Sequence, residues 1–344
     1  MTRRDPRNYD HLTHESFDRP RRHTRPRTKE RPTYTDAVDA LVVTVDRGRY
    51  TVRLADDPDR VVTAMKSRPL GRKGVVVGDR VRLVGDTSGD DGSLARIVEV
   101  EDRVTALRRT ADDDDPVERV VVANADQLVV VVALADPEPR TGFIDRAVAA
   151  ALDAGIEPLL CLTKADLAPA DPLVEVYRPL DVAYVVTQRG ADVTPVLERL
   201  AGRTSVMLGH SGVGKSTLVN ALVPGADRAV GVVNDVTGRG RHTSTSALML
   251  RLPAESGGGW IVDTPGIRSF GLAHLQPDSL LRAFPDLDAL TVDCPRGCTH
   301  VESEPECALD EAVAAGTVEA ARVSSYRRLL SSRDAPRDRR ESSG

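Results

Sequence analysis

The chain has 344 residues, 40% hydrophobic and 29% charged, with a formal net charge of −5, which leaves room for two or three domains of ordinary globular composition. Wholesale disorder, collagen and coiled coil are excluded, and the longest apolar runs, such as residues 127–135, fall far short of the roughly 20 residues a membrane helix needs. No apolar stretch near the N-terminus reads as a secretory signal, so a cytoplasmic protein is expected.

Along the chain, residues 1–35 come first. Residues 1–32 carry ten Arg or Lys against five Asp or Glu, with prolines and few aliphatic side chains. Such a segment cannot bury enough surface to order itself, and it reads as a disordered basic arm able to touch phosphates. From 36 to 104 the pattern becomes short and alternating, with strand-like runs at 40–45, 50–54, 60–65, 79–84 and 94–98, separated by Gly/Asp turns. Five such strands predict a small barrel of the oligonucleotide-binding (OB) type. Its basic residues, among them Arg47, Arg49, Arg53 and Lys66, are nearly balanced by acids. Net charge therefore says nothing about its partner.

After an acidic run, Asp112 to Asp115, read as a linker, the rhythm turns to α/β over residues 105–272. Strands are expected at 129–135, 157–162 and 204–208, and helices at 143–154, 194–200 and 217–222. Strands alternating with helices predict a parallel, doubly wound sheet. Residues 273–332 read as mostly helical around a cysteine cluster, and 333–344 as a disordered tail.

The strongest motif is Gly209, His210, Ser211, Gly212, Val213, Gly214, Lys215, Ser216, followed by Thr217. It is a full phosphate loop between a strand and a helix. Its glycines let consecutive backbone N–H groups curl around a phosphate, Lys215 reaches the β and γ oxygens, and Ser216 offers a hydroxyl to Mg²⁺. Thr163, Lys164, Ala165 and Asp166 end another strand. Asp166 there can accept N1–H and the exocyclic amine of guanine, which adenine cannot present, and the stem of Lys164 can cover the ring. Asp263, Thr264, Pro265 and Gly266 supply an Asp-x-x-Gly element, with Asp263 toward Mg²⁺ and the Gly266 amide toward the γ-phosphate. Between them, residues 238–245 have the composition of a mobile switch, and Thr243, Ser244 and Thr245 are alternative hydroxyls for the metal. Only five of 47 basic residues are lysine. Two of the five, Lys164 and Lys215, stand in these motifs, where a slender ammonium fits and a planar guanidinium does not.

Cys294, Cys298, His300 and Cys307, spaced C-x₃-C-x-H-x₆-C, are the ligand set of a closed tetrahedral zinc site. With all four positions filled by protein, such a zinc is structural. Cys161, the fourth cysteine, falls on a buried strand.

An ordinary small GTPase runs phosphate loop, switch, Asp-x-x-Gly, then guanine motif. Here residues 163–166 precede 209–216, so the GTPase core is circularly permuted. That order, the barrel before it and the Cys/His cluster after it resemble the family of ribosome small-subunit-dependent GTPase A (RsgA, or YjeQ). The stretches that carry the resemblance are 76–81, 144–146, 154–158, 209–216, 240–243, 263–271 and 294–307, within about 36–330. It implies an α/β protein of three parts: an OB-type barrel, a permuted phosphate-loop GTPase domain and a helical zinc-binding subdomain. It further implies a monomeric factor of late 30S maturation that hydrolyses GTP to GDP faster on the 30S subunit, and that meets 16S rRNA through the barrel and zinc domain.

Three departures from the family pattern stand out. Thr163 replaces the commoner Asn, which shortens one side-chain contact to the base edge. Thr187-Gln188 stands where Ser-Ala is usual, with a backbone amide still available to guanine O6. The zinc motif has one residue fewer between its first cysteines and one more before its last. Hydrolysis needs a group to orient water, and Ile267, after Gly266, cannot do so. His242 is the candidate, since an imidazole can accept from water near pH 7, and the resemblance agrees; His210 fills a variable position. The alternatives are a permuted GTPase of the large subunit, an RNA-binding scaffold with a weakly hydrolytic nucleotide site, and a phosphate-loop ATPase or kinase. Barrel and metal cluster argue against the first, intact Lys215, Ser216 and Asp263 against the second, and Asp166 together with Gly240 to Thr245 against the third.

Overall fold

The computed structural model describes residues 34–71, 74–110, 118–226, 247–264, 277–302 and 304–332. Residues 1–33 of the arm, the acidic run, the tail and the residues His242, Thr243, Ser244, Thr245, Gly266 and Ile267 lie outside the described residues. The described residues from 36 onward gather into one compact unit.

The barrel strands are β1 (Val38–Asp46), β2 (Arg49–Leu54), β3 (Val61–Lys66), β4 (Arg80–Gly85) and β5 (Ala95–Val100). Their spatial order is β1-β2-β3-β5-β4, and β4 pairs back to β1 to close the ring. Alternate residues face inward, so Ala40, Val42, Val52, Leu54, Val62, Ala64, Leu83 and Ile97 fill a core of their own. Arg47 and Gly48, at φ 44° and 85°, make the two-residue β1–β2 turn whose twist matches the strands.

The stretch 76–81 ties this barrel to the strand that ends at Ala123. Gly78 sits at φ +87°, and a Cβ there would lie 2.0 Å from the Ala123 carbonyl; only glycine permits that approach. Asp79 is fully buried and accepts from Arg103 Nε at 2.7 Å, Arg103 Nη2 at 2.8 Å and the Val76 amide at 2.8 Å.

Next come β6 (Ala106–Thr110) and β7 (Glu118–Ala123), an antiparallel pair. The acidic run thus joins two paired strands and does not link domains. A one-residue bulge between Leu107 and Arg108 and the charged run conceal the alternation in the sequence.

The second half of the sheet contains β8 (Gln127–Ala133), β9 (Glu157–Thr163), β10 (Ala183–Val186), β11 (Thr204–Leu208), β12 (Leu248–Arg251) and β13 (Trp260–Asp263). Their order is β10-β9-β8-β11-β13-β12, parallel except for β12. Helices α1 (Thr141–Asp153), α2 (Asp171–Tyr177), α3 (Thr194–Leu200) and α4 (Lys215–Leu222) cover it. β8 shows why its sequence is a continuous apolar run: Leu128, Val130 and Val132 enter the core with α1 and α2, while Val129, Val131 and Ala133 enter the core with α3 and α4. The strand order reverses between β8 and β11, which opens a crevice at their carboxyl ends. β12 pairs with β1 through Thr44 and Leu248, so barrel and nucleotide sheet form one eleven-stranded sheet.

Helices α5 (Pro277–Leu281), α6 (Pro285–Leu290), α7 (Ala308–Ala314) and α8 (Ala320–Ser331) complete the described chain. Leu280, Phe284, Leu287, Leu309, Val323, Tyr326 and Leu329 of this region join the α1 core. Arg328 of α8 meets the buried Asp145 of α1 at 3.2 Å and stacks over Tyr177 at 5.2 Å. Arg322 pairs with Asp181 and Asp286, each at 2.9 Å, over the Phe284 ring. Among the described residues no helix is long and apolar enough to cross a membrane.

Candidate nucleotide site and metal centre

The loop 209–216 leaves β11 beside the crevice and enters α4 at Lys215, two residues earlier than its apolar pattern suggests. Gly212 and Gly214 adopt φ of +83° and +92°, and a Cβ on Gly209 would lie 2.8 Å from the Val131 carbonyl. All three glycines are therefore required by the loop's own geometry. Ser211, Ser216 and Thr217 line its mouth, while Val213 is buried beneath it. His210 packs on Phe143 of α1 with ring centroids 4.0 Å apart, which agrees with a packing role for this variable position. Lys215 hydrogen-bonds Asp263 at the end of β13. A primary ammonium and a carboxylate thus meet at one strand end, and the exposed Ser216 follows Lys215 in the first turn of α4. The ammonium suits a phosphate, and the two oxygen donors suit a hard divalent cation.

Thr163 to Asp166 leave β9, two strands from β11 across β8. Thr163 is buried, and its hydroxyl donates to the Val213 carbonyl inside the phosphate loop at 2.6 Å. That proton is directed at the loop and away from the base edge, unlike the shortened base contact expected from the sequence. Lys164 adopts φ 58° and donates to the Asp136 carbonyl. The Ala165 amide donates to the Thr187 carbonyl at 3.3 Å, and the Thr187 amide to the Leu162 carbonyl at 2.8 Å. These bonds bring Thr187-Gln188 alongside the motif, as the sequence order implied. Asp166 is exposed and open to a ligand. The structure therefore unites residues 163–166 with 209–217 and Asp263 around one crevice.

Cys294, Cys298, His300 and Cys307 converge although the sequence spacing is unusual; their ligand atoms all lie within 4.8 Å of one another. His300 Nδ1 is 3.7, 3.4 and 3.8 Å from the sulfurs of Cys294, Cys298 and Cys307. Tetrahedral zinc, with bonds near 2.3 Å to sulfur and 2.0 Å to nitrogen, requires S···N separations of about 3.6 Å. The donor set and its spacing fit that metal. The geometry depends on backbone that sequence reading does not reveal, with Gly297, His300 and Glu306 at φ of 84°, 59° and 56°. Burial holds the His300 imidazole below its usual pKa and so favours the neutral, ligating form. Burial also pushes the Cys298 thiol up to about 11, so a cation is needed to draw off its proton at neutral pH. Cys161 is buried within β9, its thiol pushed up to about 12, and takes no part in this cluster.

Fold and site together define a circularly permuted GTPase fold, with its phosphate loop and base motif on nearby strand ends in the reverse of the usual sequence order. A family model described as RsgA GTPase matches residues 100–273, just over half of the chain. The small ribosomal subunit biogenesis GTPase RsgA of Pseudomonas fluorescens is 40% identical over 267 residues, 75% of each chain. This chain belongs to the RsgA GTPase family. The RsgA of Ectopseudomonas mendocina is 43% identical over 221 residues, 62% of this chain, and the match spans 63% of that relative's length. Among solved structures, YjeQ from Thermotoga maritima is 27% identical, with a TM-score of 0.64 over 88% of this chain and all of the other. YloQ, described as a circularly permuted GTPase, shares the fold at 23% identity, with a TM-score of 0.62 over 88% of this chain and 98% of the other.

Proposed function

We propose that this chain is a GTP hydrolase acting in maturation of the small ribosomal subunit. The observation that carries the reading is the crevice in which the phosphate loop, Asp263 and the exposed Asp166 converge. The relatives' names, which describe small ribosomal subunit biogenesis GTPases, support it. In this reading Asp166 selects guanine, the loop amides and Lys215 hold the phosphates, and Ser216 and Asp263 hold Mg²⁺. The bound ion supplies neutralisation of charge on the transferring phosphoryl oxygens. Binding GTP requires Lys215 to exchange Asp263 for phosphate, which leaves that carboxylate for the cation. His242 orients the attacking water, with a hydroxyl of Thr243, Ser244 or Thr245 toward the metal. The barrel, residues 36–104, and the zinc domain, 273–332, meet 16S rRNA, while residues 105–272 hold the nucleotide, and the protein works as a cytoplasmic monomer.

Turnover of GTP by the full chain, measured alone and with purified 30S or 50S subunits, tests this reading. Stimulation by 30S is expected, and stimulation only by 50S would favour a large-subunit factor. His242→Ala is expected to bind GDP normally and to lose at least about tenfold of the stimulated rate, below the usual 10²–10⁴-fold contribution of a positioned acid or base; an unchanged stimulated rate removes His242 from the mechanism.

We further propose that the Cys/His cluster holds one structural zinc. Elemental analysis should find one zinc per chain, and its removal by chelator should lower the thermal midpoint, because the assembled ligand set belongs to the folded state alone. A chain with no zinc after purification without chelators would refute this part.

A further inference from the structure

Helix α8 carries Arg322, Arg327 and Arg328. Arg322 and Arg328 are directed to Asp181, Asp286 and Asp145. Arg327, between them in sequence, is directed elsewhere. Its Nε donates to the His300 carbonyl at 2.9 Å, and Nη1 and Nη2 donate to the two oxygens of Asp310 at 2.7 and 2.8 Å. Its side chain is only 13% exposed, so the guanidinium is held in place and is not a solvated surface group. One planar cation therefore joins the backbone of one metal-ligand residue to Asp310 on α7, which begins directly after the ligand Cys307.

Charge makes this position consequential. Three thiolates and a neutral imidazole around Zn²⁺ leave a net charge of −1. Two carboxylates stand nearby, Glu304 accepting from the Thr299 amide beside His300 at 3.2 Å and Asp310 three residues after Cys307, with Arg327 as the cation on the His300 carbonyl. Backbone relieves one thiolate in part, since the Ala308 amide donates to the Cys294 sulfur at 3.3 Å. An anionic centre among carboxylates is costly unless a cation stands close. Groups beyond the ligands that orient them and balance their charge typically alter metal affinity about 10- to 100-fold.

We propose that Arg327 is a positioning residue of the metal centre, orienting His300 through its carbonyl and holding a positive charge beside the anionic ligand set, so that the helix docked on the nucleotide domain also retains the metal. The proposal rests on the zinc reading above. Lysine cannot replace this group, because a single ammonium cannot hold Asp310 through two parallel bonds and reach the His300 carbonyl as well.

The test is competition for zinc between a chromogenic chelator and the full-length, zinc-loaded protein, with cooperative thermal unfolding to certify each variant. Arg327→Ala is expected to bind zinc at least about tenfold more weakly than the parent, and Arg327→Lys to lose affinity in the same direction. Arg322→Ala, which loosens the same helix from a different side, is expected to retain parental affinity. Parental zinc affinity in Arg327→Ala, or in Arg327→Lys should the alanine variant not fold, would overturn the proposal. An equal loss in Arg322→Ala would also overturn it, by assigning the effect to helix docking. A parent chain that binds no zinc would instead refute the zinc reading itself.

Discussion

Asp166→Asn is expected to lower affinity for GDP at least about a hundredfold and to make xanthosine diphosphate the better ligand. A carboxylate accepts both N1–H and the 2-amino group of guanine, and hydrogen bonds to a charged group contribute about 1.5–3 kcal/mol each. Stripping the charge from one bond, which the amide oxygen still accepts, and opposing the other with an amide N–H amounts to about 3 kcal/mol, which is roughly two decades in Kd. Xanthine offers N1–H and a 2-oxo acceptor, which an asparagine amide can match. Titration calorimetry with GDP, xanthosine diphosphate and ADP measures the switch, and an unchanged preference would remove Asp166 from base recognition. Thr163→Val provides the contrast. Because the Thr163 hydroxyl donates to Val213 within the phosphate loop, its loss should weaken GDP and ADP by the same factor and leave the ratio between them unaltered. A change confined to GDP would instead place that hydroxyl on the base.

The second large effect concerns stability. Arg328→Ala is expected to cost about 3 kcal/mol at neutral pH, the lower end of what stranding one partner of a buried ion pair costs, because the guanidinium is 34% exposed and partly screened. Asp145 is only 4% exposed, and burial already raises its pKa above the ordinary 3.8 despite the opposing influence of Arg328. Removing the guanidinium raises it further. A carboxyl with a folded pKa above its unfolded value binds more protons when folded, so its contribution to stability declines as pH rises from about 3.8 through the folded value. The deficit of Arg328→Ala relative to the parent should therefore shrink as the pH is lowered through that window. Urea unfolding of both proteins from about pH 7 to about pH 4 measures it. Asp145→Asn in the Arg328→Ala background should abolish the pH dependence that the stranded carboxyl introduces, and a deficit constant with pH would contradict this account.

Much of this architecture is legible in the sequence because the responsible signals are local. The barrel strands alternate inward and outward with period two, and β8 is apolar throughout because both of its faces are covered. The phosphate loop is legible because neighbouring amides must enclose one phosphate, and the metal ligands because chelation by a short loop restricts their spacing. The elements that the sequence conceals are either short or non-local. β10 has four residues, of which Tyr184 and Val186 are exposed and only Val185 is buried, so no periodicity can form. α2 has seven residues and lacks a side-chain cap. The Asp145–Arg328 pair spans 183 positions. Nor does anything in Tyr326-Arg327-Arg328 indicate that adjacent arginines serve different domains. Thr163 is the instructive intermediate: its motif identifies the neighbourhood, but the direction of one hydroxyl is set by the approach of Val213.

The pairing of Thr44 with Leu248 bears on how the protein can be dissected. A fragment beginning after the barrel would leave β12, the last strand before that junction, without its partner at Leu248 and uncovered as an edge strand, and open edges recruit other chains. Arg251 on β12 would also lose Asp59, its partner across the junction at 2.9 Å. The nucleotide half expressed alone is thus liable to dimerise or aggregate along that margin. A truncation meant to isolate it should retain β1, or carry a lysine or proline on β12 to discourage strand addition.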